Sequence, residues 1–455
     1  ELLAAGFATL NALTFDRNRG LDDPARRIPP ARLIGRAEAL DRCPGFEGAL
    51  DDAGLFWDGQ VYNPPRLVWA FVRSAMRAGA VAVNYCEVTG FLRRGNRVLG
   101  VTAEDRLSGD RLQVLGQVVV NAAGPFADQL AVDGGLRAAR SVPLSRDMAL
   151  VVRRPLLRET ALAIQTIHRD PDAWFSRGHR HLFVVPWHGV TLIGVHSIVY
   201  QDNPYALRTT PTEIETFLAE IGGAMPWWAP GEADVAAVYA GLLPIGHSAL
   251  RRANVSFGKR AHLIDNAETD RIEALVTVVA NRLTTARGVA EQTVNLIFRK
   301  RGVEPPRCRT AQTPLYGGEV ADVTAHLAHA RRELAGRTAP ALAERLARNH
   351  GAEWSGPVSL APPGPLQIVA GSDTLAVEVV YAVRHEMART LADCVLRRTD
   401  LATADHPGEP ALAACAGLVA GELGWDAARV ASELDDVRGR LNSAAASPRV
   451  TMGSV

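Results

Sequence analysis

A short apolar strand that ends in Asn121-Ala122-Ala123-Gly124-Pro125 constrains this chain more than any other feature. Residues 118–121 read as a buried strand. The small residues that follow leave the backbone open to close approach by another group. Gly124-Pro125 then turns the chain sharply. At the carboxyl end of a parallel strand this is where nucleotides lie in doubly wound folds. A tight strand-to-helix turn with no ligand satisfies the same letters. A second buried run, Val276 to Val279, passes through Ala280-Asn281 into Arg282-Leu283-Thr284-Thr285 and a helix over 285–299. Thr284 or Thr285 is expected to cap that helix. Its first turn leaves backbone N–H groups unpaired at the positive end of the helix dipole, and Arg282 and Arg287 add cations there. Either an anion sits nearby or both arginines point to water. The two segments read as later pieces of a dinucleotide fold. Yet no G-x-G-x-x-G occurs anywhere, and the first residue is Glu1. The first strand-turn-helix of such a fold is expected to be missing from this sequence.

At 455 residues and 47% apolar content the chain can bury two or three domain cores. With a net charge of +1, nothing argues for a nucleic-acid footprint or an acidic partner. The five cysteines are widely spaced, with no C-x-x-C, which suits a reducing compartment. No apolar run approaches the roughly 18 residues of a spanning helix. G-x-S-x-G, H-E-x-x-H and a P-loop are all absent, so hydrolase and phosphoryl-transfer readings have no support.

Along the chain, a helical start gives way to Pro64-Pro65 and an amphipathic helix over Arg66–Gly79. Strand-like runs follow at Ala80–Tyr85, Val98–Ala103, Leu112–Leu115 and Val118–Asn121, with a turn at Gly95-Asn96. Residues 137–245 read as an inserted mixed sheet carrying a substrate site, with a helix at Pro211–Ile221 capped by Thr210. Beyond Pro305-Pro306 and Thr313–Gly318 the chain turns helical, at Thr324–Leu334, Pro340–His350, Ala376–Thr399 and Gly408–Leu423, with a frayed tail over Ser443–Val455. The expected fold is α/β plus α: an incomplete doubly wound domain within 1–315, interrupted by the sheet domain at about 137–245, then a helical domain over 320–455.

Histidines offer few sites. His179 and His181 alternate in a strand and read as an exposed edge rather than a metal pair, and His326 and His329 read as a solvated helix face. His196 follows Gly194 at the end of an apolar strand; it is either a general base or a satisfied structural histidine. No metal site is expected.

Read together, several segments resemble the FAD-dependent glycerol-3-phosphate dehydrogenases, within the D-amino-acid-oxidase-like flavoproteins. They are Asp58-Gly59-Gln60 with Arg66-Leu67, Asn84-Tyr85, NAAGPF at 121–126, Phe183–Trp187, Thr191–Gly194, Tyr239–Pro244, LTTARGVAE at 283–291 and the helical run 378–399 with ELGWD at 422–426. Their order and spacing extend over nearly the whole chain. The resemblance implies FAD as cofactor, lying along Asn121, Ala122, Ala123, Gly124 and Pro125. Arg282, Leu283, Thr284 and Thr285 would contact the flavin ring, with Arg282 where the family usually has Lys. Arg260 and Arg287 would bind substrate, and His196 and Arg282 would serve catalysis.

The implied reaction is oxidation of glycerol 3-phosphate, or a similar polyol phosphate, to dihydroxyacetone phosphate, with electrons passed to quinone or another acceptor. It implies a cytoplasmic protein, open to peripheral contact at the inner membrane face and to homodimer formation. Departures point to a divergent branch. Leu243 stands where many members have Arg, PLSRDMALVV at 143–152 lacks a frequent His, and Ala280-Asn281 replaces Gly-Gly. Oxidation of an amine or amino acid on the same fold, and a truncated non-catalytic product, stay open. The chain as it stands is expected to bind FAD poorly.

Overall fold

The computed structural model describes residues 2–46, 52–136, 142–169, 179–245 and 261–446. Helices α1 (Leu2–Leu13) and α2 (Arg36–Arg42) flank an antiparallel ribbon of β1 (Arg32–Ile34) and β2 (Ala53–Leu55). Helix α3 (Pro64–Arg77) starts where the sequence punctuates it: Asn63 accepts from the Arg66 N–H at 3.1 Å, and prolines fill the first helical positions, where no N–H is needed. The strand expected over Ala80–Tyr85 does not form a ladder. Residues 80–83 are irregular, and Val81 and Val83 are exposed. Strand β3 (Cys86–Arg94) turns at Gly95, φ +61°, into β4 (Arg97–Asp105), which pairs with β5 (Arg111–Leu115). Strand β6 (Val119–Asn121) and helix α4 (Ala127–Asp133) follow.

The inserted region is a five-stranded sheet of β7 (Leu144–Val152), β8 (Leu162–Arg169), β9 (His179–Trp187), β10 (Val190–Tyr200) and β11 (Val235–Pro244), in the order β11-β7-β10-β9-β8. Every pairing in it is antiparallel, so the mixed character of the fold does not reside here. Helix α5 (Pro211–Ala224) begins with a capping box between Thr210 and Glu213 and covers one face. Phe217, Ile214 and Ile221 pack there on Met148, Leu150, Leu182 and Ile193. Period-two alternation sends Val151, Ala237, Leu192 and Tyr239 to the opposite face.

Parallel pairing occurs in the three-stranded sheet β12-β13-β6, where β13 (Leu275–Val279) runs antiparallel to β12 (His262–Asp265) and parallel to β6. Helix α6 (Ala286–Lys300) leaves β13. The rest is helical: α7 (Val323–Glu333), α8 (Pro340–His350), α9 (Ala376–His385), α10 (Glu409–Leu423) and α11 (Ala427–Ala446). They bury one cluster around Val379, Leu391, Cys394 and Val419, and another around Leu327, Leu346, Trp354 and Leu375.

Two expectations change in this helical part. The single helix over 376–399 is broken after His385, where Met387 takes φ +59°. A capping box between Thr390 and Asp393 restarts the helix, and Glu433 of α11 accepts from the Leu391 N–H at 2.8 Å. Helix α11 was not expected, although Val430, Leu434, Val437 and Leu441 trace its apolar stripe.

Candidate functional site

The two segments that opened the sequence argument are neighbours in space. Strands β6 and β13 pair in parallel, with Leu275 opposite Val119 and Thr277 opposite Asn121, so their carboxyl ends emerge side by side. Beneath the tips, Ala123, Ala127, Val142, Ile264 and Val279 pack together. Above them Ala122 is exposed. Gly124 takes φ +56°, a conformation that favours glycine, and so makes the turn into Pro125. Asn121 is 4% exposed and spends its side chain on this turn: Nδ2 donates to the Ala127 carbonyl at 2.9 Å, and Oδ1 accepts from the Ala123 N–H at 3.2 Å. Asn121 therefore shapes the tip. One aromatic pair at the turn escaped the sequence reading: Phe126 stacks on Tyr205 at 4.7 Å, and its only signal is a tyrosine in the Asn203-Pro204 turn.

From β13 the chain passes through a turn of 3₁₀ helix, Leu283–Thr285, into α6. Neither Thr284 nor Thr285 caps α6 with its side chain; Thr285 Oγ1 donates back to the Arg282 carbonyl at 3.2 Å. The first N–H groups of α6 thus have no side-chain acceptor, and the dipole there stays positive. Arg282 is exposed and makes no ion pair among the described residues. Arg287 is different. It pairs with Glu291 one turn on at 2.7 Å and lies beside Cys308 and Thr310, so its charge is already met.

The remaining candidates are not brought to the tips. His196 packs under α5, its ring 5.3 Å from Phe217 and its Nδ1 3.4 Å from the Glu220 carboxylate. It pairs opposite Met148, on the helix-covered face of the sheet. The structural reading of this histidine is the one its surroundings favour. Arg260 lies outside the described residues. No group of three His, Cys, Asp or Glu side chains among the described residues is arranged to hold a metal ion.

What remains is a nucleotide-type site at the tips of two parallel strands, beside an antiparallel sheet and a helical domain. The site fits a flavin edge: Ala122, Ala123, Gly124 and Ala280 place no side chain beyond Cβ in the way, and the Arg282 guanidinium, without an ion pair among the described residues, is exposed beside a helix start that has no side-chain cap. The Gly-rich turn that cradles a diphosphate is not among these 455 residues.

This is the class of a dinucleotide-dependent oxidoreductase. Comparison with known proteins narrows it. Residues 7–296 match the FAD dependent oxidoreductase family, and residues 308–430 match the C-terminal domain of alpha-glycerophosphate oxidase. The chain belongs to the FAD-dependent oxidoreductases, enzymes whose cofactor is FAD.

It is 28% identical over 448 residues to a glycerol-3-phosphate dehydrogenase of Synechocystis sp., covering 93% of this chain and 75% of that one. It is 26% identical to the mitochondrial glycerol-3-phosphate dehydrogenase of Homo sapiens, over 89% of this chain and 55% of that protein. The chain thus spans about half the length of that mitochondrial relative. Among solved structures, the glycerol-3-phosphate dehydrogenase of Bacillus halodurans complexed with FAD superposes with a TM-score of 0.72 at 23% identity, covering 92% of this chain and 80% of that one. The fold is therefore that of this oxidoreductase family. No helix among the described residues is long and apolar enough to cross a membrane.

Proposed function

We propose that this chain carries the flavin-edge and substrate-sheet portions of an enzyme that oxidises glycerol 3-phosphate, or a similar polyol phosphate, to the corresponding ketone, with quinone or another carrier taking the electrons. The observation that carries this reading is the parallel pairing of Thr277 with Asn121, which sets the NAAGP turn beside the Arg282 helix entrance. The names of the relatives support the substrate class. When bound, FAD supplies the acceptor for a hydride from the carbinol carbon.

The chain's own residues have narrower tasks. Ala122 to Pro125 give a smooth backbone ledge, and Arg282 with the open start of α6 holds positive charge where an electron-rich ring edge needs it. Removal of the hydroxyl proton is not assigned to His196, which lies beneath α5. Leu243 sits in β11 opposite Ser145, two residues beyond Gly241 on the sheet face turned away from α5. A leucine there offers phosphate no charge-assisted anchor. We infer that phosphate selection is weaker than in relatives with arginine at this place.

The test is anaerobic bleaching of flavin with FAD supplied in large excess, since these residues lack the Gly-rich diphosphate turn. Glycerol 3-phosphate should bleach it, with glycerol slower and D-amino acids inert. Bleaching by a D-amino acid with none by glycerol 3-phosphate would replace this reading with amine oxidation.

A further inference from the structure

The junction between α3 and the helical domain holds a concentration of charge that the proposed chemistry does not use. Arg66, near the start of α3, is 7% exposed and reaches the end of α8 and Glu386. Its Nε donates to the Asn349 carbonyl at 3.1 Å, Nη1 pairs with Glu386 at 2.5 Å, and Nη2 meets His350 Nδ1 at 3.0 Å. Next to it, Arg345 Nη2 bonds Glu378 Oε2 at 2.5 Å, and the same oxygen accepts from the Leu375 N–H at 3.0 Å. Asp400 joins Asn349 at 2.6 Å and Asn63, the cap of α3, to the set.

Within this network three polar atoms are buried and have no hydrogen-bond partner: Arg345 Nε, His350 Nε2 and Glu378 Oε1. The three side chains are 12%, 3% and 1% exposed. They adjoin one another, since Arg345 bonds the other oxygen of Glu378 and His350 Nε2 lies 3.8 Å from Glu378 Oε1, beyond hydrogen-bond range. Their chemistry specifies what would fit. A guanidinium can only donate, so His350 Nδ1 must be the acceptor of the Arg66 bond, and the ring proton sits on Nε2. The set therefore presents two donors, Arg345 Nε–H and His350 Nε2–H, and one acceptor, Glu378 Oε1. A halide can take both donors but repels the carboxylate and gives it no proton. A metal cation is repelled by the arginine. A water molecule accepts twice and donates once. Leaving all three atoms unmet would forfeit their hydration with nothing in exchange.

We infer that Arg345, His350 and Glu378 form a binding site for a single resident water molecule, which closes the polar ring that joins α3 to the helical domain. Through it His350 links Arg66 on one side to Glu378 and Arg345 on the other, and Arg345 continues to Asp400 at 3.4 Å. A buried water with three protein partners is the usual form of such a site.

The experiment is a crystal structure of the full chain at a resolution where ordered waters are visible, with a second crystal soaked in bromide. One peak within hydrogen-bond distance of all three atoms, without anomalous signal in bromide, is the expected result. An empty site, direct bonding of Arg345 Nε to Glu378 Oε1, or bromide at the site would each overturn the assignment. In solution, oxygen-17 relaxation dispersion should count one long-lived water fewer in His350→Phe than in the parent. An equal count in a folded variant would also overturn it.

Discussion

Arg66 and Glu386 form an ion pair with both side chains almost fully withdrawn from water, Nη1 to Oε2 at 2.5 Å, although they sit on opposite sides of the junction between α3 and the helical domain. Burial works to raise the Glu386 carboxyl, yet the Arg66 charge holds it below the ordinary carboxylate value. Removing one partner strands the other charge. Glu386→Gln should lower stability by about 3–5 kcal/mol. The double variant Arg66→Met with Glu386→Leu should recover a large part of that loss, because the desolvation cost disappears along with the pair. Urea unfolding of the three proteins measures this; a single variant with the parent's midpoint would show that the pair is solvated in solution.

Stability should fall with acid in two stages. His350 is buried beside Arg66, and both effects push its pKa below the ordinary 6.5. The folded protein therefore holds His350 neutral while the unfolded chain protonates, so this contribution is complete above 6.5 and declines as pH drops below it. Glu378 follows the carboxylate pattern: burial would raise it, but the Arg345 guanidinium, with the Leu375 N–H, holds it at about 2 against an ordinary 4.5. Its contribution is present above 4.5 and is lost as pH falls toward 2. Thermal melts from about pH 7 to about pH 5 should show a falling Tm that flattens in His350→Asn. An unchanged slope in that variant would assign the effect to other groups.

Gly351→Ala should be strongly destabilising. Gly351 takes φ +56°, and a Cβ there would lie 1.9 Å from the Gly317 carbonyl oxygen. That oxygen accepts from the Ala352 N–H at 2.9 Å and pins the 313–318 loop against the end of α8. Backbone strain of this kind costs about 1–3 kcal/mol, and the steric conflict adds to it. Faster limited proteolysis at the 313–318 loop is the expected signature.

Arg282→Ala in the flavin-loaded protein should slow flavin reduction by about tenfold, equivalent to roughly 1.4 kcal/mol of barrier, with little change in KM. The Arg282 guanidinium has no carboxylate partner among the described residues, so its field is free to act on a ligand. Stopped-flow reduction measures the rate, and a pure KM effect would move Arg282 to substrate binding.

Leu243→Arg should restore selection for phosphate. The new side chain would project from the same face of β11 as Tyr239. A charge-assisted contact is expected to lower the KM for glycerol 3-phosphate by about tenfold while leaving that for glycerol unchanged. Equal changes for the two substrates would place Leu243 away from the phosphate.

The site was legible in proportion to how local its causes are. The NAAGP turn, the Gly95 hairpin and the Thr210 capping box are each dictated by residues a few positions apart, and all three form. The place of Arg282 at the entrance of α6 was legible for the same reason, but the cap expected from Thr284 or Thr285 does not form, because Thr285 Oγ1 bonds back to the Arg282 carbonyl instead. His196 stayed open between two readings because a strand's letters do not say which face a helix from elsewhere will cover.

What the sequence by itself determined is thus the NAAGP and Gly95 turns, the Asn63 and Thr210 caps and the strand tips, because their energetics are settled within one or two turns of chain. Only the tertiary structure decided the rest. It brought β6 against β13 from distant parts of the chain, and it broke the expected helix after His385 so that Glu386 could meet Arg66. One signal for that meeting was present all along: Arg66 lies in the first turn of α3, the wrong end of a helix dipole for a cation. The dipole says that an anion is needed there. Which anion arrives depends on burial and long-range packing, which no local pattern encodes.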